Sequence, residues 1–269
     1  MRDYQYVILD PTGNLTALVT EPAEKADEPE LTRRLLAESE QVAYLVPPER
    51  PEAVARIRLM GGEFCGNAAM AAAAWLVRDE LAEGETKTLL LEVSGAADPV
   101  LCSVRKTAEG WEGAVEMPGA PEIEAETLCG IPFTVARMEG ITHLICDDRT
   151  FPPAEAEKLL RQIAERRPEE AIGLLQWNRE TKTMTPLVFV RGSGSLVWEH
   201  GCGSGSAAVG ALEALRGGDG ETVTDVVQPG GIIRVSATAE HGMIRGISIS
   251  GKVRLGMESV IEKTTQVVI

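Results

Sequence analysis

The sequence predicts an α/β chain of the α+β kind, built as two pseudo-symmetric domains. Each is expected to be a curved, mostly antiparallel sheet wrapped around one central apolar helix. Three observations predict this. Two segments of small and apolar residues have helix length and no polar face, so each must be buried on all sides. Each begins at a Cys-Gly pair, Cys65-Gly66 and Cys202-Gly203, 137 positions apart in a chain of 269 residues. Short apolar runs bounded by turn residues surround both, which is the signature of strands.

Taken in order, residues 4–9 and 15–20 read as strands around the turn Asp10-Pro11-Thr12-Gly13-Asn14. Residues 29–39 read as an amphipathic helix with Pro29 near its start. Residues 42–46 and 55–60 read as strands, and the run from Ala68 to Val77 as the first buried helix. Strands follow at 87–93, 99–106, 111–117, 134–138 and 141–146. Residues 153–167 form a Glu-, Lys- and Arg-rich amphipathic helix. The second half has strands at 186–190 and 195–199, the second small-residue helix after Cys202, and strands at 222–227, 232–238 and 243–249. Gly95 and Gly230, downstream of the two helices, lie 135 positions apart. Two nearly equal offsets indicate an internal duplication. The expected division is 1–126 and 127–269, with the last strands crossing between halves and the active site in the cleft between them.

Composition narrows the function classes. The formal charge is −15, and no basic surface exists to neutralise nucleic-acid phosphates. No apolar run reaches the length of a membrane span. The N-terminal residues lack a signal pattern, so the expected location is the cytoplasm. The five cysteines are Cys65, Cys102, Cys129, Cys146 and Cys202. An odd count without C-x-x-C spacing argues against a disulfide framework or a structural zinc site. Cys102, Cys129 and Cys146 read as core or strand filler.

Cys65 and Cys202 stand where a turn enters a helix. Unpaired amides and the helix dipole there favour an anion, so each thiol is expected to have a lowered pKa. The amides of Gly66, Asn67, Gly203 and Ser204 are placed to hold a carboxylate. Two such ends facing one α-carbon suit proton removal by one thiolate and delivery by the opposite thiol, with the carbanion stabilised through its carboxylate. Such chemistry needs no metal and no cofactor. A competing pattern is Glu199-x-Gly-x-Gly-x-Gly at 199–205, which resembles the first motif of S-adenosylmethionine-dependent methyltransferases. The 64 residues after Gly205 read as strands rather than the alternating elements of a doubly wound sheet. A non-catalytic amino-acid-binding module is the other alternative, and two retained thiols argue against it.

At these residues the chain resembles the diaminopimelate epimerase-like superfamily. Within it, the histidine racemases of staphylopine-type metallophore synthesis are most similar. The shared stretches are Asp10 to Thr16, Glu40-Gln41-Val42, Gly62 to Ala68, Ser195 to Glu199 with Cys202 to Gly205, and Gln228 to Gly231. The resemblance implies Cys65 and Cys202 as the catalytic pair. It further implies Asn14, Glu40, Gln41, Gly66, Asn67, His143, Glu199, Gly203 and Ser204 around a small amino-acid substrate. Diaminopimelate epimerases carry Glu-Arg-Gly before the second Cys; the nearest match here is Val190-Arg191-Gly192, without the acid. Glu199 is the acidic residue left near Cys202. Histidine is therefore the expected substrate, with diaminopimelate or a broader amino-acid range as alternatives. A homodimer is compatible with this resemblance.

Overall fold

A computed structural model describes residues 3–261. Contacts divide the chain into two units, one of residues up to Val115 together with those from Lys252, the other Glu116–Gly251. The expected division at 126/127 is thus displaced to 115/116.

The first unit contains β1 (Tyr4–Pro11), β2 (Thr16–Val19), α1 (Glu28–Leu35), β3 (Gln41–Val46), β4 (Ala55–Leu59), α2 (Gly66–Leu76), β5 (Thr86–Val93), β6 (Val100–Thr107) and β7 (Gly110–Glu116). The strands lie side by side in chain order. Two of the pairings are parallel, β2 with β3 and β4 with β5, and each is bridged by a helix, α1 and α2 respectively. Parallel neighbours need such a crossover, whereas antiparallel neighbours join by tight turns. α1 buries Leu31 and Leu35 against a cluster with Tyr4, Tyr44 and Val42. It stops at Leu35, short of the expected residue 39, and Ser39 Oγ donates to the Leu35 carbonyl.

The second unit contains β8 (Glu122–Leu128), β9 (Ile131–Met138), β10 (Ile141–Asp147), α3 (Pro153–Ala164), β11 (Ala171–Asn178), β12 (Thr183–Val190), β13 (Ser195–Trp198), α4 (Gly203–Gly217), β14 (Gly220–Gln228), β15 (Gly231–Glu240) and β16 (Met243–Ile261). The plan is the same. β10 and β11 are parallel across α3, and β12 and β14 are parallel across α4. β13 hangs off β12. α3 buries Ala156, Leu159, Leu160, Ile163 and Ala164, one face at helical spacing.

β16 belongs to both units. Its residues up to Gly251 complete the second, and those from Val253 to Ile261 pair antiparallel with β1 of the first. In the second unit β8 occupies the corresponding place, antiparallel to β9. β8 was not expected from the sequence. It is an edge strand in which Glu122, Glu124, Ala125 and Thr127 are exposed and no residue is buried, so it has no buried apolar face. Its lead-in moves the division to 115/116. β11 was also not expected.

α2 and α4 are the apolar helices. α2 packs on β1, β2, β5 and β6, and α4 on β10, β11, β14 and β15. Strands from well-separated parts of each path touch the helix, so each sheet wraps around it. Close approach requires missing side chains. A Cβ on Gly113 of β7 would lie 2.8 Å from Met70 of α2, and one on Gly210 of α4 would lie 2.3 Å from Val235 of β15. Among the described residues, no helix is long and apolar enough to cross a membrane. After α4 the chain is an antiparallel meander, β14 to β16, not the alternation that the methyltransferase pattern requires.

Candidate active site

Cys65 is the N-cap of α2 and Cys202 the N-cap of α4, both extended at φ −136° and −104°. Each sulfur accepts the amide N–H three residues on: Ala68 at 3.4 Å for Cys65, Gly205 at 3.3 Å for Cys202. Each carbonyl accepts the first helical N–H, from Ala69 and from Ser206, both at 3.0 Å. The thiols thus stand where Ser, Thr or Asp usually cap a helix. The N1 and N2 amides, Gly66 with Asn67 and Gly203 with Ser204, have no acceptor within their own helix by the geometry of a helix start.

The approach to each turn is braced by the strand that follows the helix. In the first unit Ser94 Oγ donates to the Glu63 carbonyl at 2.8 Å, and a Cβ on Gly95 would lie 2.3 Å from the Phe64 nitrogen. In the second, the Gly230 N–H donates to the His200 carbonyl at 2.8 Å. The two glycines spaced like the cysteines therefore serve the two Cys-Gly turns.

Around Cys65 the structure brings together Asn14, Glu40, Gln41 and Asn67. Gln41 Nε2 donates toward Cys65 Sγ (3.3 Å), Asn14 Oδ1 (2.6 Å) and Thr16 Oγ1 (2.8 Å). Asn14 Nδ2 donates to Glu40 Oε2 at 3.0 Å, and Asn67 Nδ2 to Asn14 Oδ1 at 3.4 Å. Asn14, Gln41, Asn67 and Thr16 are all buried. Thr16 was not singled out in the sequence, although it lies in a shared stretch.

Cys202 is 4% exposed. Its N–H donates to Gln228 Oε1 at 2.7 Å, Gln228 Nε2 donates to Ser206 Oγ at 2.8 Å, and Ser206 Oγ donates to the Cys202 carbonyl at 2.7 Å. This ring satisfies both backbone groups of the residue, and neither Gln228 nor Ser206 was expected as part of the site. Ser204 Oγ lies 3.6 Å from Sγ and 2.9 Å from His143 Nε2. His143 is fully buried and meets Ser204. Burial pushes its pKa down to about 3, so the imidazole is neutral.

The expectation of a lowered thiol pKa is corrected at Cys202. Burial pushes this thiol well above its usual value; the charge of Glu199 and a hydrogen bond to it add to the rise, while Ser204 and the Gly205 N–H pull the other way. Desolvation outweighs the helix terminus. Of the remaining cysteines, Cys102 and Cys146 are buried as expected, but Cys129 is exposed at the β8–β9 turn with φ +52°. Filler is the wrong description for it. Among the described residues, no group of three His, Cys, Asp or Glu side chains is arranged to hold a metal ion.

Residues 3–260 match the family model of the histidine racemase CntK N-terminal domain. A histidine racemase of Staphylococcus aureus is 25% identical over 256 residues, covering 91% of this chain and 92% of that protein. A diaminopimelate epimerase of Xylella fastidiosa is 32% identical over 246 residues, covering 82% of this chain and 81% of that one. A solved structure of a hydroxyproline epimerase from Agrobacterium vitis, with bound trans-4-hydroxy-L-proline, matches with a TM-score of 0.70 at 15% identity. The match covers 97% of this chain and 92% of that one, and it concerns the fold.

Proposed function

This chain belongs to the histidine racemase CntK N-terminal domain family, and from that premise we propose that it racemises histidine with Cys65 and Cys202 as its acid/base pair and without a cofactor. At the coarser level it is an isomerase, an amino-acid racemase or epimerase. The observation that carries the finer reading is the pair of thiol N-caps with matching geometry, one in each unit.

In this reading one sulfur, as thiolate, takes the α-proton: an S–H bond forms, the Cα–H bond breaks, and the electron pair moves onto the substrate carboxylate. The amides of Gly66, Asn67, Gly203 and Ser204 stabilise that charge. The other thiol gives its proton to the opposite face of the α-carbon. The two sulfurs end with exchanged protonation, so turnover in the same direction requires a proton exchange with solvent. Asn14, Glu40 and Gln41 shape the first half of the site. Glu199 receives the substrate ammonium group.

Diaminopimelate is the second reading, favoured by the relatives of that name. Against it stands the place of Arg191. Its guanidinium donates to the carbonyls of Ala164, Arg167 and Glu169. It braces the chain after α3, and the neighbouring acid of the epimerase pattern is Val190 here. A distal ammonium and carboxylate would lack partners, which costs on the order of several kcal/mol in a buried site. The production of D-histidine would place the enzyme in metallophore synthesis, as its resemblance implies.

The test is incubation of L-histidine and of meso-diaminopimelate in deuterated water, followed by chiral chromatography and mass spectrometry. D-Histidine carrying one α-deuterium is expected. A higher specificity constant for meso-diaminopimelate would overturn the substrate and leave the two-thiol chemistry standing. Comparable rates on many unrelated amino acids would replace it with a broad racemase.

A further inference from the structure

His143 poses a problem that the proposed chemistry does not use. Its ring is fully buried, and its Nδ1 has no hydrogen-bond partner among the described residues. The space for it is made by two small neighbours. In the sheet His143 lies beside Ala136 of β9 and Gly173 of β11. A Cβ on Gly173 would come within 2.2 Å of Nδ1 and 2.8 Å of Cε1, so the ring fills the space that a side chain at this position would take.

That contact favours one tautomer. A buried N–H without an acceptor is rarer and costlier than a bare acceptor, and a lone pair facing a Cα–H gains a weak contact. With the proton on Nε2, the ring donates to Ser204 Oγ, 2.9 Å away. With its oxygen engaged as acceptor, Ser204 has its own O–H left to donate, and Cys202 Sγ is 3.6 Å off.

We propose that His143 is a positioning residue for Cys202: held against Gly173 with its proton on Nε2, it turns the Ser204 hydroxyl toward the sulfur. The thiolate form of Cys202 then has two donors, the Ser204 O–H and the Gly205 N–H at 3.3 Å. They oppose burial and Glu199, which favour the thiol. The charged residues on the elements packed around His143 are engaged elsewhere: Arg137 of β9 pairs with Glu124, Asp147 of β10 with Arg216 of α4, and Glu213 of α4 with Arg179. Glu199 is the charged group that acts on Cys202. Because His143 stays neutral at working pH, its own titration does not enter. The inference rests on the reading of Cys202 as an acid/base group, and it assigns His143 a role through Ser204 in place of substrate contact.

The experiment is the rate of alkylation of each cysteine by iodoacetamide at neutral pH, followed by mass spectrometry of the Cys202 and Cys65 peptides. The rate follows the thiolate fraction. His143→Phe and Ser204→Ala should each slow labelling of Cys202 about tenfold, the loss of one charge-assisted hydrogen bond. The double variant should be no slower than Ser204→Ala alone. His143→Gln, which keeps a donor, should recover most of the rate, and Cys65 labelling should not change. Gly173→Ala, which displaces the ring without removing it, carries the same expectation should His143→Phe fail to fold. An unchanged Cys202 rate in His143→Phe beside a slowed rate in Ser204→Ala overturns the proposal, and so do additive losses in the double variant. Labelling needs no turnover, so absence of histidine racemisation would sink the proposed function without touching this result.

Discussion

Cys65 and Cys202 cap equivalent helices, yet their sulfurs sit in different company. Cys65 is partly exposed and faces amides: Gln41 donates to it directly, with Asn14 and Asn67 behind. Cys202 is buried, with a carboxylate beside it and a hydroxyl supported by a neutral imidazole. The duplicated backbone supplies two like positions, and the side chains around them give the two sulfurs different surroundings. A reversible two-thiol reaction needs one sulfur charged and the other protonated at the start of each turnover. At Cys202 the balance lies with the protonated form, because desolvation and Glu199 outweigh the donors.

The largest effect should come from removing either sulfur. Cys65→Ala and Cys202→Ala should each lower racemisation about a thousandfold or more, with unchanged far-ultraviolet circular dichroism. If one variant kept near-wild-type turnover, the two turns would not be functional equals. Next, Glu199→Gln should lower histidine turnover roughly a hundredfold and leave the melting temperature nearly unchanged. The same change removes a charge that raises the Cys202 thiol pKa, so Cys202 should alkylate faster in the variant. Slower alkylation would contradict the electrostatic contrast between the turns.

The glutamines separate activity from stability. Gln228→Ala leaves the buried Cys202 N–H without its acceptor, takes away the donor to Ser206 Oγ, and should cost about 2–3 kcal/mol in urea unfolding. Gln41→Ala should act more on kcat, because Gln41 touches the sulfur itself. Equal effects of both changes on both quantities would erase the distinction.

Acid should also tell the units apart. The folded-state pKa of His143 is depressed to about 3, below the unfolded value of about 6.5. Its contribution to stability is therefore complete above pH 6.5 or so and is lost as pH falls toward 3. Hydrogen exchange at falling pH should release α4 amides before α2 amides, and His143→Phe should narrow that gap. The smallest effects belong to the other cysteines. Cys102→Ala and Cys146→Ala should stay active at a packing cost of about 1–2 kcal/mol, and exposed Cys129→Ala should change stability by under about 0.5 kcal/mol.

Much of this was legible in the sequence where one physical requirement dominates. A helix such as 66–76, with no polar face, has only a buried solution, and the repeated Cys-Gly start located both turns. β8 was not legible, because an edge strand reading Glu-Ile-Glu-Ala-Glu-Thr-Leu carries few large apolar residues and buries none of them. β11 was missed although it is apolar, and with it Gly173, whose purpose depends on a ring from the adjacent strand. The direction of the Cys202 pKa was likewise out of reach. A helix terminus can be read locally, but desolvation depends on everything packed around the sulfur. Asn14 and Gln41 lie 51 and 24 positions from Cys65, and the resemblance alone placed them beside it.

The path of β16 has a consequence for the newborn chain. A ribosome that has released residues 1–115 has made every strand of the first unit except the one that covers β1, and that strand is encoded after the whole of the second unit. Until residues 253–261 emerge, β1 carries an open row of amides and carbonyls, a template for any other strand. The half synthesised first is thus the half completed last, and a premature stop shortly after Gly251 would spare the second unit while leaving the first with an unsealed margin.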